Sequence, residues 1–304
     1  MTVHYVEICP SEDGQRLDNY LFRYLKGVPK SHVYRMIRNG EVRVNKKRAA
    51  ASTKLAGGDR VRIPPVRMAE EKTVFVSSRC SQQLLENILY EDDALLVLNK
   101  PSGIAVHGGS GLSLGVIEAL RKIRTDLHYL ELVHRLDKET SGCLLMAKKR
   151  SSLRAIQGLF NAREVTKTYW AILCGQWQGK SQLIVDLPLE KNTLQSGERV
   201  VRVRAEGKAA ETRFKLLKNS ALAALVEASP KTGRTHQIRV HSLSLGHPIL
   251  GDKKYGGDEA LLLPKARLYL HARAIQFNLN GKSYQFQAEL DASFIETLKQ
   301  LGLQ

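Results

Sequence analysis

His134-Arg135-Leu136-Asp137-Lys138-Glu139-Thr140-Ser141-Gly142 lies near the middle of a 304-residue chain, between the runs Leu130–Val133 and Cys143–Ala147. One carboxylate, Asp137, stands between Arg135 and Lys138, with a Thr-Ser-Gly turn just behind it. The apolar run that follows reads as a strand, Cys143–Lys148, so the acid sits in the loop leading into a sheet. An acid so placed is either a salt-bridged loop residue or a nucleophile kept ionised by its neighbours. Taken alone, the nine residues favour the loop residue, and the surrounding chain has to decide.

On the N-terminal side, Ala94–Leu98 is a short buried strand stopped by Asn99-Lys100-Pro101-Ser102-Gly103. His107-Gly108-Gly109-Ser110-Gly111 is rich in glycine but lacks the Gly-Lys-Ser/Thr ending of a phosphate-binding loop. It reads as a turn that lets backbone approach something closely, not as an ATP site. Gly115–Arg124 is helical. After the central strand comes a helix through Leu153, Ile156, Leu159 and Phe160, and then strands dominate. They are Lys167–Cys174, Val200–Val203, Thr212–Leu217, Leu222–Ala228, Ala274–Leu279 and Ser283–Ala288, with helices at Thr235–Leu245 and Ala292–Leu301. Hairpins with occasional helices predict an α+β domain on a mainly antiparallel, mixed sheet. There is no βαβ repeat and no Gly-x-Gly-x-x-Gly, which argues against a dinucleotide enzyme.

The formal charge of +17 is uneven. Ser11–Arg67 holds fourteen Lys and Arg against five Asp and Glu, more than half of the excess in under a fifth of the chain. Polyanions are drawn to such a surface, and nucleic acid is the commonest one in a cytoplasm. Leu17, Tyr20 and Leu21 repeat at i, i+3, i+4, as do Val33, Met36 and Ile37 after a candidate cap at Ser31. Asn39-Gly40 closes the second helix, and Val42, Val44, Val61 and Ile63 alternate with Arg43, Arg60 and Arg62 as half-buried strands do. Arg67–Gln83 is polar, without sustained periodicity, and reads as a linker. The expected organisation is therefore a basic domain over 1–67, a linker over 68–83 and a larger domain over 84–304.

Four scattered cysteines form no Cys-x-x-Cys pair, which argues against zinc or a disulfide framework. With no apolar run of membrane-spanning length and no secretory leader visible, the chain reads as cytoplasmic. A monomer is expected, because the pattern contains no coiled coil.

Three more stretches of the larger domain stand out. They are Lys167-Thr168-Tyr169, where Lys167 and Tyr169 share a strand face, then Gly233-Arg234-Thr235-His236-Gln237-Ile238-Arg239, and Arg267-Leu268-Tyr269-Leu270-His271. Each alone is ordinary: a core-edge tyrosine, a capped helix start at His236, a core leucine at Leu270. Together with His-Arg-Leu-Asp-x-x-Thr-Ser-Gly, they resemble the motif set of the RluA-type pseudouridine synthases. Arg16–Pro64 resembles the S4 RNA-binding domain, common at the N-terminus of that family, through Arg16-Leu17-Asp18 and Gly40-Glu41-Val42-Arg43-Val44-Asn45.

That resemblance implies an enzyme that isomerises uridine in RNA to pseudouridine, without cofactor or metal. It implies Asp137 as the catalytic carboxylate, Arg239 as its counter-charge, and Tyr169 as the ring beneath the target base. Leu270 becomes the opposing apolar wall, and Arg135 the residue that fills the space left by a flipped-out base. Within the S4-like segment, Arg35, Arg38, Arg43, Lys46, Lys47 and Arg48 become phosphate contacts. Val28-Pro29-Lys30-Ser31 and Gln195-Ser196-Gly197-Glu198-Arg199 are tokens that favour large-subunit (23S) ribosomal RNA, free or in a pre-ribosomal particle. The same chemistry on tRNA, or a non-catalytic RNA-binding assembly factor, are the alternatives.

Overall fold

The computed structural model describes residues 3–25, 27–66, 76–108, 114–193, 199–261 and 267–304. By its internal contacts the chain divides into two compact units, Met1–Phe75 and Val76–Gln304.

In the first unit, β1 (His4–Glu7), α1 (Leu17–Tyr24), α2 (Lys30–Arg38), β2 (Arg43–Val44), β3 (Lys47–Arg48) and β4 (Arg60–Ile63) build one layer of helix on one layer of sheet. The strands are antiparallel in the order β1-β4-β2-β3. Leu17, Tyr20, Leu21, Val33, Met36 and Ile37 bury together against Val42, Val44, Val61 and Ile63, so both periodicities point where the sequence predicts. The helix start differs: Pro29 caps α2 and Ser31 lies inside it. Pro29 already has the extended backbone that a cap requires, with ψ 138°, leaving Ser31 no role there. Arg35 and Arg38 are exposed on α2, and Arg43, Lys46, Lys47 and Arg48 are exposed on the β2–β3 hairpin. Arg43 and Arg48 also donate to the Gly40 and Asn39 carbonyls, at the negative end of the α2 dipole.

Of the expected linker, residues 67–75 lie outside the described residues. The remainder is corrected: Ser77 caps α3 (Ser78–Glu86) by accepting from the Cys80 amide. Leu84 of this helix is fully buried in a core of the second unit. One buried leucine in a polar helix leaves no apolar period, which is why the stretch looked irregular.

The second unit continues with β5 (Ile88–Glu91), β6 (Leu95–Lys100), α4 (Val116–Ile123), β7 (Glu131–Leu132), β8 (Ser141–Ala147) and α5 (Arg150–Ala162). Then come β9 (Thr166–Cys174), β10 (Gln182–Asp186), β11 (Leu189–Thr193), β12 (Arg199–Val203), β13 (Glu211–Asn219) and β14 (Ala223–Pro230). It closes with α6 (Gln237–Ser244), β15 (Leu270–Leu279), β16 (Lys282–Gln287) and α7 (Ala292–Gln300). Ten strands form one sheet in the order β10-β13-β14-β9-β15-β8-β6-β5, with β16 on β15 and β7 on β8, while β11 and β12 pair separately. Its pairings are antiparallel except β15 with β8, so the expected mixed, mainly antiparallel α+β fold is present.

Burial follows the period of two. Leu96, Leu98, Leu144 and Met146 face one core with α3 and α4, while Leu95, Val97, Cys143 and Leu145 face another with α5. A strand covered on both faces carries no polar alternation, and every residue of β8 is buried. At the parallel junction Gly142 has φ +107°, and a Cβ there would lie 2.3 Å from the Ala272 carbonyl oxygen. Glycine is required where β15 passes the start of β8, immediately behind Asp137. No described helix is long and apolar enough to cross a membrane.

Two histidines, one buried and one half-buried, hold this framework. His271 Nε2–H donates to the Ala288 carbonyl at 3.1 Å, leaving Nδ1 to accept from the Ser141 hydroxyl at 2.9 Å. His134 Nε2 accepts from the Leu145 amide at 3.1 Å, and its ring stacks on Phe160. Burial pushes both down to about 4. Because the unfolded chain binds these protons near pH 6.5 and the folded one does not, stability is full above that pH. It drains away as the pH falls from 6.5 towards 4, by up to about 3 kcal/mol per histidine. Urea unfolding across that range should show the loss, and a His271→Asn variant should show a shallower one.

Candidate active site

Lys100 anchors the loop that carries Asp137. Its side chain is fully buried, and its ammonium donates to the carbonyls of Pro101 at 2.8 Å, Ile104 at 2.8 Å and Lys138 at 3.0 Å. Three N–H groups meet three acceptors, so the desolvated cation is satisfied. Burial nevertheless pulls it down to about 7, with Glu139 and Asp137 opposing. Ser102 donates to the Glu139 carbonyl at 2.6 Å, and Gly103 N–H to the Lys138 carbonyl at 3.0 Å. Leu136 is buried in the core. The loop is therefore pinned on both sides of Asp137, whose side chain stays 23% exposed at the surface of a cavity.

That cavity, about 250 Å³ in volume, brings Asp137, Arg135, Tyr169, Arg239 and Leu270 together. They come from the β7–β8 loop, β9, α6 and the start of β15, whose pairing β14-β9-β15-β8 sets them side by side. Tyr169 is opposed by Ala272 on β15 and Ala228 on β14; small neighbours leave its ring uncovered towards the cavity. Burial, reinforced by the negative charge of Asp137, pushes its phenol up, so it stays protonated at neutral pH. Leu270 is buried. Arg135, in contrast, is exposed at the cavity wall.

Arg239 has a different principal partner from the one expected. Its Nε and Nη2 donate to both oxygens of Asp252, at 2.8 and 2.7 Å, while Nη1 stands 3.8 Å from Asp137 Oδ2. Asp252 is 1% exposed and also accepts from the amides of Lys254 and Tyr255. The bidentate pair fixes the guanidinium plane, and the remaining nitrogen faces Asp137. Held at that distance, the guanidinium faces the carboxylate without consuming its lone pairs.

His236, expected only as a helix start, belongs to the site. It caps α6 with φ +52° and no side-chain cap bond, so its ring is turned away from the helix end. Its Nε2 lies 3.7 Å from Asp137 Oδ2, and its Nδ1 lies 2.6 Å from the Tyr255 hydroxyl. Tyr255 accepts from the Val201 amide at 3.0 Å, so its O–H is free to donate to Nδ1 and leave Nε2–H facing Asp137. Burial holds His236 below the ordinary histidine range, against the pull of Asp137. Gln237 uses all four amide positions. It donates to Glu211 O and Thr212 Oγ1 and accepts from Thr232 Oγ1 and Arg234 N. This locks the loop through Gly233 beside the cavity.

Asp252 and Tyr255 carried no signal in the sequence beyond ordinary loop chemistry, and Lys100 was part of a stretch that fits the resemblance without a role of its own. Asp252 in Leu250-Gly251-Asp252 becomes visible only when Leu250 bonds to Ile172 of β9 and to Tyr269, and Arg239 of α6 meets it. Arg35, Arg38 and the basic hairpin residues belong to the first unit. Among the described residues no group of three or more His, Cys, Asp or Glu is placed to hold a metal ion. Gly109–Gly111 of the glycine-rich loop and residues 195–198 of the Gln195–Arg199 token lie outside the described residues.

The comparisons agree with this geometry. Residues 94–244 match the family model described as RNA pseudouridylate synthase, and residues 15–61 match the S4 domain. The chain is 53% identical over 297 residues to the ribosomal large subunit pseudouridine synthase C of Yersinia pestis, covering 95% of this chain and 92% of that one. The protein of the same name from Escherichia coli strain K12 is 52% identical over 310 residues, covering 99% and 97%. Among solved structures, human RNA pseudouridylate synthase domain containing 4 superposes with a TM-score of 0.62 at 32% identity. That match covers 73% of this chain and 95% of the human one.

Proposed function

Because the chain belongs to the RNA pseudouridylate synthase family and carries an S4 domain ahead of it, we propose that it isomerises specific uridines of large-subunit ribosomal RNA, with Asp137 as the catalytic carboxylate. The observation that carries the assignment of Asp137 is its setting: a partly exposed carboxylate on a loop pinned by Lys100, facing Arg239 and His236 but hydrogen-bonded to neither. A structural salt bridge would be closed up. This acid keeps its lone pairs for something that enters the cavity.

In the proposed reaction a uridine is extruded from the RNA, at a cost of a few kcal/mol, and its base enters between Tyr169 and Leu270. Arg135, exposed beside the cavity, takes up the space the base leaves, where a flat cation can stack and hydrogen-bond. Asp137, faced by Arg239, drives the break between N1 and the ribose. The ring turns and C5 joins C1′. C5 then loses its proton, which the Tyr169 hydroxyl is positioned to relay, and N1 gains one. Reactant and product are isomers, so no co-substrate is consumed.

The two relatives named as large-subunit synthases support 23S ribosomal RNA as the substrate class. The exposed Arg35, Arg38, Arg43 and Lys46–Arg48 support a phosphate-gripping role for the first unit, one that positions RNA more than it reads sequence. The proposal includes a monomer working in the cytoplasm, on free or assembling RNA. Incubation with unmodified 23S rRNA followed by mapping of carbodiimide-resistant stops is the test. New stops at discrete uridines are expected. Stops on tRNA alone, or tight binding with none, would replace the proposal with one of its alternatives.

A further inference from the structure

Lys167 is the group in this cavity that the reaction as described leaves unused. It lies on β9 two residues before Tyr169 and so on the same face of the strand. It lines the same cavity as Asp137 and Tyr169, and burial lowers its affinity for a proton. Among the described residues its ammonium makes one hydrogen bond, a long one of 3.5 Å to the Thr232 carbonyl. Arg239 is held by Asp252, Arg234 is exposed and donates to the Ala209 carbonyl, and Arg135 is exposed. Among the described cations of the cavity, Lys167 is therefore the half-buried one with no carboxylate beside it. A desolvated ammonium with N–H groups to spare is an unfavourable arrangement unless an anion comes to meet it.

The isomerisation supplies such an anion. As C1′–N1 breaks, both bonding electrons stay with the base, and the charge spreads over N1, O2 and O4. When C5 bonds to C1′, the ring loses the C5 proton and gains one on N1, so the charge is transient and the sum is zero. We infer that Lys167 is a catalytic residue whose ammonium meets a uracil carbonyl oxygen and stabilises the detached, anionic base. A base lying flat on Tyr169 brings its edge within the reach of a lysine two residues earlier, since strand residues two apart are about 7 Å apart. His134, the neighbouring ring, is kept neutral and so does not compete for the anion. This assignment rests on the proposed pseudouridine synthesis.

Wild type, Lys167→Met and Lys167→Arg are compared on one uridine-containing rRNA fragment, reading the single-turnover rate at saturating protein, the RNA dissociation constant and the melting temperature. Loss of one transition-state donor predicts a rate about a hundredfold lower for Lys167→Met. RNA affinity should stay within about threefold, because the free anion is absent from the bound ground state, and arginine should restore at least about tenfold of the lost rate. The inference is overturned if Lys167→Met reacts within threefold of wild type, if affinity falls as much as rate, or if arginine does no better than methionine. If wild type itself makes no pseudouridine, the proposed function fails first and this assignment with it.

Discussion

Replacing Asp137 by Asn should leave the protein folded and able to bind RNA while lowering pseudouridine formation by at least about four orders of magnitude. The amide keeps the shape of the carboxylate and loses its charge and basicity. The structure explains why the fold should tolerate the change. Asp137 has Arg239 at 3.8 Å and His236 at 3.7 Å, both beyond hydrogen-bond distance, so no closed network opens when its charge goes. Arg239 retains both bonds to Asp252, and the Lys100 clamp holds backbone carbonyls, not the Asp137 side chain. Unfolding free energy within about 1 kcal/mol of wild type and an unchanged RNA dissociation constant should accompany the lost turnover. Residual activity within tenfold of wild type would move the chemistry to another residue.

Asp252→Ala should do the opposite, damaging stability first and activity through it. Asp252 is 1% exposed and accepts four bonds: two from the Arg239 guanidinium and one each from the Lys254 and Tyr255 amides. Removing one member of a buried ion pair leaves the other charge desolvated and unpaired, a loss of about 3–5 kcal/mol. Turnover should fall as well, because the guanidinium plane that faces Asp137 is no longer fixed. Urea denaturation gives the first number and single-turnover kinetics the second. A variant with the stability of wild type would show that Arg239 finds another partner, and that Asp252 does not set its orientation.

The residues that were legible in the sequence are those whose role shows locally. Leu17–Leu21 and Val33–Ile37 announced their helices because an apolar face repeats at 3.6 residues, and β9 announced itself by β-branched and aromatic residues. The motif around Asp137 was legible through resemblance. Its nearest charges, Arg135 and Lys138, turned out not to be the ones that hold it, since both are exposed on the loop. The groups that face it, Arg239 and His236, come from about a hundred residues away in α6 and its cap, and the resemblance implied only the first. Asp252 was silent because Gly-Asp-Lys reads as any surface turn; only the bonds of Leu250 to Ile172 of β9 and to Tyr269 carry it into the core. His236 was read as a cap because its position at a helix start is the ordinary explanation. The left-handed backbone that redirects its ring has no signature in a histidine. Lys100 was hidden for a related reason: a lysine before Pro-Ser-Gly looks like a strand end, and its burial depends on three carbonyls gathered from two separate loops.

The central claim is that the cavity around Asp137 detaches a uracil base and rejoins it through C5. Because C5 gives up its hydrogen in that exchange, tritium placed there must pass to water. Large-subunit rRNA transcribed with 5-tritiated uridine and incubated with the protein should release tritium in step with the pseudouridine recovered from the digested RNA. The Asp137→Asn variant should release none above background. Release of free uracil with abasic sites left in the RNA, or no release under conditions where the protein binds the transcript, would contradict the account.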